Sequence, residues 1–231
     1  PNMTPFYTAD YGSLYHGNLK DVIPHIEPVD LCLTSPPYYT PDRVFEGQVM
    51  GAEKTVDDYV SPLSGLLLSL RAVYTGRMYL ILGGEVPEAP LRVVLALCDG
   101  GMHMHLPGFW AHESGINYIF TFDGDPKRMV YTNEGTRASI KTSDGDDVTE
   151  RQVFHPGILS AKHEKFAGTH YPSFPPKLIK GILSHEPGSV IDPFCGAGTT
   201  CVVAESMRRR WIGIDVDEEA LKRCVRRLKK A

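Results

Sequence analysis

Val190-Ile191-Asp192-Pro193-Phe194-Cys195-Gly196-Ala197-Gly198-Thr199-Thr200 is the stretch that decides the fold. Two β-branched residues running into Asp-Pro predict the end of a buried strand. The Gly-Ala-Gly turn follows, and the apolar run Cys201, Val202, Val203, Ala204 and Met207 predicts a helix that begins at Thr199. Glycines at such a turn let backbone N–H groups approach a ligand, and a helix N-terminus favours partial negative charge. Downstream, Trp211-Ile212-Gly213-Ile214-Asp215 predicts a second strand ending in a carboxylate suited to a pair of ribose hydroxyls. The turn alone is a weak signal. A dinucleotide fingerprint carries a third glycine after two more residues, at the position where this chain has Cys201. NAD and FAD are therefore disfavoured, and a tight turn that binds nothing is the better reading of the turn in isolation.

A second stretch lies far upstream. Val29-Asp30-Leu31-Cys32-Leu33-Thr34 is mostly apolar, as a strand covered on both faces tends to be. It runs directly into Ser35-Pro36-Pro37-Tyr38-Tyr39. Loops at the carboxyl ends of parallel strands are where open α/β sheets bind ligands, and two prolines stiffen this one. A rigid turn presenting a side-chain oxygen and a main-chain carbonyl can accept both protons of a planar amino group. A neighbouring tyrosine can stack on the ring that bears the amine. Alone, the same string also describes an ordinary proline-rich loop.

Together, Thr34-Ser35-Pro36-Pro37-Tyr38 and Asp192-Pro193-Phe194-Cys195-Gly196-Ala197-Gly198-Thr199-Thr200 resemble the two motifs of the amino-methyltransferases that use S-adenosyl-L-methionine to modify exocyclic amines of DNA bases. Their order, catalytic motif first and cofactor motif last, resembles the circularly permuted β-type arrangement. The likeness extends through Tyr15-His16-Gly17-Asn18, His170-Tyr171-Pro172-Ser173-Phe174-Pro175 and Arg210-Trp211-Ile212-Gly213-Ile214-Asp215. It implies an α/β fold: a Rossmann-like methyltransferase sheet, mostly parallel, with helices on both faces and a small inserted target-recognition region. It implies one catalytic domain over residues 1–231, with the insertion at residues 123–165. The cofactor would lie against Asp192, Phe194, Gly196, Ala197 and Gly198, of which Phe194, Gly196 and Gly198 wrap its methionine end. Thr199 and Thr200 would open the helix beside its carboxylate, Asp215 would take the ribose hydroxyls, and Ser173 and Phe174 would touch the methionine moiety. Asn18 stands where the family commonly has aspartate, which keeps a hydrogen bond and removes a charge.

The catalytic segment would be Ser35, Pro36, Pro37 and Tyr38, acting on a base flipped out of the duplex and stacked on Tyr38. Ser35 is expected to accept a hydrogen bond and not to act as a nucleophile, since no activating base is visible. No Pro-Cys pair occurs in the chain, which argues against thiolate chemistry at cytosine carbon 5. Family members with serine before Pro-Pro-Tyr mostly modify cytosine N4, so the resemblance implies N4-methylcytosine. The alternatives are N6-adenine methylation and a catalytically silent DNA-binding subunit of the same fold. DNA is the expected partner, with a homodimer or an accessory DNA-recognition domain left open. The expected location is the cytoplasm and nucleoid in a prokaryote, or the nucleus in a eukaryote.

Composition agrees with one large domain. Of 231 residues, 42% are hydrophobic and 23% charged, as in a globular protein with a sizeable core. The net charge of −4 announces no nucleic-acid binder, yet a local basic face is enough for one. Five cysteines without a C-x-x-C pair read as buried free thiols. No signal peptide or membrane-length apolar run is visible. Residues 1–13 look irregular. Helices are expected at Leu63, Leu66, Leu67, Leu70 and Val73, and at Leu91, Val94, Leu95 and Cys98, both stripes facing the core. Met78–Leu82 and Ile116–Phe122 read as strands, the second near a sheet edge. From Asp123 to Lys165 the chain turns polar, with Lys127, Arg128, Arg137, Lys141 and Arg151 available to DNA. His103 and His105 lack further ligands at a familiar spacing, so no metal is expected. The last helix carries an apolar face of Leu221, Cys224, Val225 and Leu228 beside a basic, solvated one.

Overall fold

The computed structural model describes residues 3–41, 50–105, 107–112, 115–123, 158–160 and 175–230. Among the described residues nine strands form one sheet: β1 (Tyr7–Thr8), β2 (Gly12–His16), β3 (Leu31–Thr34), β4 (Met78–Leu82), β5 (Gly108–His112), β6 (Gly115–Phe122), β7 (Ile158–Ser160), β8 (Val190–Asp192) and β9 (Trp211–Asp215). Their spatial order is β1-β2-β9-β8-β3-β4-β6-β5-β7. The central run β2-β9-β8-β3-β4 is parallel throughout, while β6 runs antiparallel to both of its neighbours. The carboxyl ends of five strands therefore share one edge. That edge carries Asn18, Asp215, Phe194, Ser35 and Gly83.

Among the described residues six α-helices accompany the sheet: α1 (Leu19–Val22), α2 (Val56–Ser69), α3 (Glu88–Asp99), α4 (Pro176–His185), α5 (Thr199–Ser206) and α6 (Glu218–Leu228). Alternation along the strands divides the core into two layers. On one face Met78, Leu80 and Leu82 pack with Leu63 and Leu67 of α2 and Val93 and Leu97 of α3. On the other, Tyr79 and Ile81 pack with Ile179 of α4, Cys201 of α5 and Leu221 of α6. Every residue of β3, β4 and β8 is buried, because both faces of those strands are covered. The chain leaves β8 toward β9 on one side, through α5, and leaves β3 toward β4 on the other, through α2. The order of connection thus reverses between β8 and β3, the place where open α/β sheets form a ligand crevice.

Four expectations change. Residues 7–8 are not irregular, since β1 closes a hairpin on β2 with Tyr7 opposite Leu14. Strand β6 is interior, flanked by β4 and β5. Neither β5 nor β7 was legible, and β7, within the expected insertion, pairs with β5 in the main sheet. The stripe on α3 is rotated as well. Ala89, Pro90, Val93, Val94 and Leu97 face the core, whereas Leu91 and Leu95 are exposed. Hydrophobicity alone points Leu91 and Leu95 inward, but the helix turns Ala89, Pro90 and Val93 to the core in their place.

The His105 ring contacts the Asp123 carbonyl at 2.8 Å, and no group of metal-binding side chains forms among the described residues. Among those residues no helix is long and apolar enough to cross a membrane.

Candidate functional site

The two sequence motifs meet at the β8–β3 crevice. Thr34, the last residue of β3, donates its hydroxyl to Asp192 Oδ1 at 2.7 Å. The Phe194 amide donates to the same oxygen at 3.2 Å. Asp192 is thus a clasp between the strand that leads to Ser-Pro-Pro-Tyr and the strand that leads to the glycine turn. Burial pushes its carboxyl up to about 6, against the hydrogen bonds from Thr34 and Phe194 that hold it down. The Thr200 hydroxyl faces this carboxyl too, but it makes no well-formed hydrogen bond among the described residues.

Glycine is required in the turn for two different reasons. Both Gly196 and Gly198 are left-handed, with φ of 51° and 77°. A Cβ on Gly198 would overlap Cys224 Sγ and lie 2.9 Å from Cys224 Cβ, because α6 packs directly under the turn. A Cβ on Gly196 would meet nothing within 4 Å, so this face of the turn borders open space. Asp215 frames that space. Its Oδ2 accepts from the Gly196 amide at 2.7 Å and its Oδ1 from the Asp217 amide at 2.8 Å. Lone-pair capacity remains for a ligand. Burial raises the Asp215 carboxyl above its ordinary range, and the amides of Asp217, Gly196 and Val216 oppose that shift.

Arg227 was read as part of a solvated face, yet it holds the turn. Its guanidinium donates to the Ala197 carbonyl at 2.6 Å and to Thr199 Oγ1 at 3.2 Å. Nothing in the basic pattern of α6 distinguishes Arg227 from its neighbours. Only the packing of α6 under the turn reveals the contact. Thr199 and Thr200 are buried at the start of α5, and Ala197 is half-buried. Asn18 is exposed at the start of α1, where its carbonyl accepts from the Asp21 and Val22 amides while its side chain makes no capping bond. Ser173 and Phe174 lie outside the described residues, as do Lys127, Arg128, Arg137, Lys141 and Arg151.

Across the crevice, Ser35 donates its hydroxyl to the Tyr38 hydroxyl at 3.2 Å, which leaves the Ser35 lone pairs as acceptors. Burial pushes the Tyr38 phenol up to about 12, so it stays neutral, while its ring is half-buried. Pro36 is buried. The Pro37 carbonyl is taken, since Tyr59 of α2 donates its hydroxyl to it at 2.9 Å. Tyr59 also packs against Tyr39 with ring centroids 5.4 Å apart. Tyr59 therefore splints the segment, a role invisible in the sequence because it is a helix residue whose partner lies in a loop.

The thiols near the turn are inert. Against a hydrogen bond with Cys201 that lowers it, burial pushes the Cys195 thiol up to about 12, and Cys32 is also raised by burial.

The geometry can bind a ligand with vicinal hydroxyls at Asp215 and present acceptor oxygens to a planar amine at Ser35. Comparison with known proteins gives the family and the fold. A sequence model of the family described as DNA methylase, of N6/N4 type, matches residues 29–226. The Type II methyltransferase M2.LlaDCHI of Lactococcus lactis subsp. cremoris is 42% identical, over 98% of this chain and 92% of the relative. The Type II methyltransferase M.XycI of Xanthomonas campestris pv. cyanopsidis is 23% identical, over 90% of this chain and 84% of its own. Among solved structures, the PvuII DNA methyltransferase, named cytosine-N4-specific, superposes with a TM-score of 0.71 at 18% identity, covering 96% of this chain and 88% of that one. A complex of M1.HpyAVI with S-adenosylmethionine superposes with a TM-score of 0.62 at 16% identity, covering 94% and 98%.

Proposed function

Because the chain belongs to the N6/N4 DNA methylase family, we propose that it transfers a methyl group from S-adenosyl-L-methionine to the exocyclic N4 amine of cytosine in DNA. The base is reached by flipping it out of the duplex. The observation that carries this reading is the disposition of Ser35. Its hydroxyl hydrogen is engaged by Tyr38, which leaves its oxygen lone pairs as acceptors.

The residues present fit the cofactor. Gly196 borders open space, Asp215 keeps free lone pairs beside it, and the half-buried Phe194 supplies an apolar wall. Bound there, S-adenosylmethionine supplies an electrophilic methyl group. Asp215 then holds the ribose hydroxyls through charge-assisted hydrogen bonds. Phe194 and Ala197 line the methionine end, and Asn18 reaches the adenine side.

On the substrate side, the Ser35 oxygen and the Pro36 carbonyl accept the two protons of the target amine. Held in this way, the nitrogen lone pair is drawn out of conjugation with the ring and aimed across the crevice. Positioning by preorganised dipoles supplies most of the rate. Base flipping costs a few kcal/mol, and stacking on the Tyr38 ring returns roughly 1–3. The Asp192 clasp keeps the two half-sites in register, and Tyr59 keeps the Pro37 carbonyl from competing for the amine. Residues 123–165 read the DNA sequence in this proposal.

Serine is shorter than aspartate, which suits the smaller cytosine ring. DNA from cells expressing the protein is digested to nucleosides and analysed by mass spectrometry for N4-methylcytosine. N6-methyladenine in its place overturns the choice of base, and neither product overturns methyl transfer to a DNA amine. Ser35→Ala removes one acceptor and slows transfer by roughly 10²–10³.

A further inference from the structure

Asn117 carries a buried amide at the mouth of the same crevice. It lies on β6 opposite Gly83, one step beyond the Leu82–Tyr118 pair. It is 5% exposed, and its side chain makes no hydrogen bond among the described residues. Buried side-chain amides ordinarily find partners, so each exception calls for a reason. The reason is visible in what surrounds it. A Cβ on Gly83 would overlap Asn117 Oδ1 and would lie 3.1 Å from Tyr38 Cε2. A Cβ on Gly84 would lie 3.6 Å from Tyr38 Cβ. The two glycines follow β4 without side chains, and the room left at Gly83 is taken by Asn117 Oδ1, with the Tyr38 ring bordering the same space. A leucine or threonine would fill that place at lower cost if packing were its only task.

We propose that Asn117 is a specificity-determining residue that donates an amide N–H to the unprotonated ring nitrogen next to the amine-bearing carbon of the flipped base. This deepens, and rests on, the methyl-transfer reading above. The chemistry fits the ligand. Ser35, whose hydroxyl hydrogen is engaged by Tyr38, and Pro36 accept hydrogen bonds from the amine's two protons, and neither then donates to the adjacent ring nitrogen, an acceptor. Cytosine and adenine both carry this nitrogen beside the amine. Thymine carries a protonated nitrogen and a carbonyl at the corresponding places, and the same amide and serine would not both be matched. Asn117 therefore selects amine-bearing bases against carbonyl-bearing ones.

The test uses duplex oligonucleotides carrying the base identified by nucleoside analysis, or its deaza analogue with C–H in place of that ring nitrogen. Asn117→Ala is expected to lower kcat/KM for the normal duplex by roughly 10–100-fold and to leave the KM for S-adenosylmethionine within twofold. On the deaza duplex the parent loses rate, and the variant loses little more, because the bond is already absent. Asn117→Asp adds a pH signature. Its activity relative to the parent rises as pH falls, since the protonated acid again has an O–H to donate. Equal losses for the alanine variant on both duplexes overturn the proposal, as does parental kcat/KM in both variants. A fall in thermal stability together with a parallel change in cofactor KM assigns Asn117 a structural role and also overturns it. A parent that methylates neither base sinks the methyl-transfer reading itself, a distinct result.

Discussion

Replacing Gly196 and Gly198 separately by alanine should separate ligand binding from folding. Both residues are left-handed, and that conformation costs an L-residue about 1–2 kcal/mol. Loss of chain entropy in the unfolded state returns about 0.4–1 kcal/mol. At Gly196 nothing else opposes the new methyl group, because its surroundings are open to 4 Å. Gly196→Ala should therefore lose about 1 kcal/mol, a fall in Tm of roughly 2–4 °C for a chain of this size. At Gly198 the new Cβ overlaps Cys224 Sγ, and overpacking of this kind adds about 1–3 kcal/mol. Gly198→Ala should fall by roughly 5–15 °C. Calorimetric titration with S-adenosylmethionine gives the opposite ranking among folded molecules. Gly196→Ala, with its methyl in the ligand's space, should bind more than tenfold more weakly, at least about 1.4 kcal/mol. Cys224→Ala should partly restore the stability of Gly198→Ala and do nothing for Gly196→Ala. Parental affinity in Gly196→Ala would falsify the placement of the cofactor over that residue. Equal melting temperatures for the two variants would refute the packing argument.

Asp215→Ala should weaken S-adenosylmethionine binding more than tenfold, since each charge-assisted hydrogen bond is typically worth about 1.5–3 kcal/mol; unchanged affinity by titration rejects the ribose assignment. Tyr38→Ala should reduce methyl transfer while Tyr38→Phe retains much of it, because the ring carries the stacking; full activity in the alanine variant makes the tyrosine structural. Asp192 bears on pH. A carboxyl raised in the folded state keeps its proton longer there than in the unfolded chain, so its contribution is most favourable below the ordinary value of 3.8 and declines as pH rises through about 6. Asp192→Asn should remove that decline, changing the parent–variant difference in unfolding free energy by about 2–3 kcal/mol between pH 4 and pH 7. Denaturant titrations at the two pH values measure it, and a difference that does not move with pH contradicts the burial argument.

Local chemistry was enough to read the glycine turn, the doubly buried strand before Ser35 and the carboxylate that ends β9. Each follows from a few consecutive residues whose conformation is set by proline, glycine or β-branching, and the crevice between β8 and β3 follows from how such units connect. Other parts depend on which surfaces meet. Leu91 and Leu95 were placed inward by hydrophobicity, but α3 turns its small residues to α2 because close helix packing favours them there. Strand β5 carries too little alternation to announce itself and exists because β6 offers it an edge.

The sequence by itself determined which parts carry the candidate chemistry of this protein: the Ser-Pro-Pro-Tyr segment at Ser35–Tyr38, the glycine turn at Gly196–Gly198 and the acidic end of β9. Tertiary structure alone decided what holds those parts in place. Thr34 reaches Asp192 across 158 positions, Arg227 reaches back to Ala197 across 30, and Tyr59 braces Pro37 from a helix 22 positions on. Asn117 meets Gly83 only through the β4–β6 register. Motif residues are recognisable because their own backbone and side chain perform the task. The residues that support them do so through a distance, and a distance between remote positions exists only once the chain has folded.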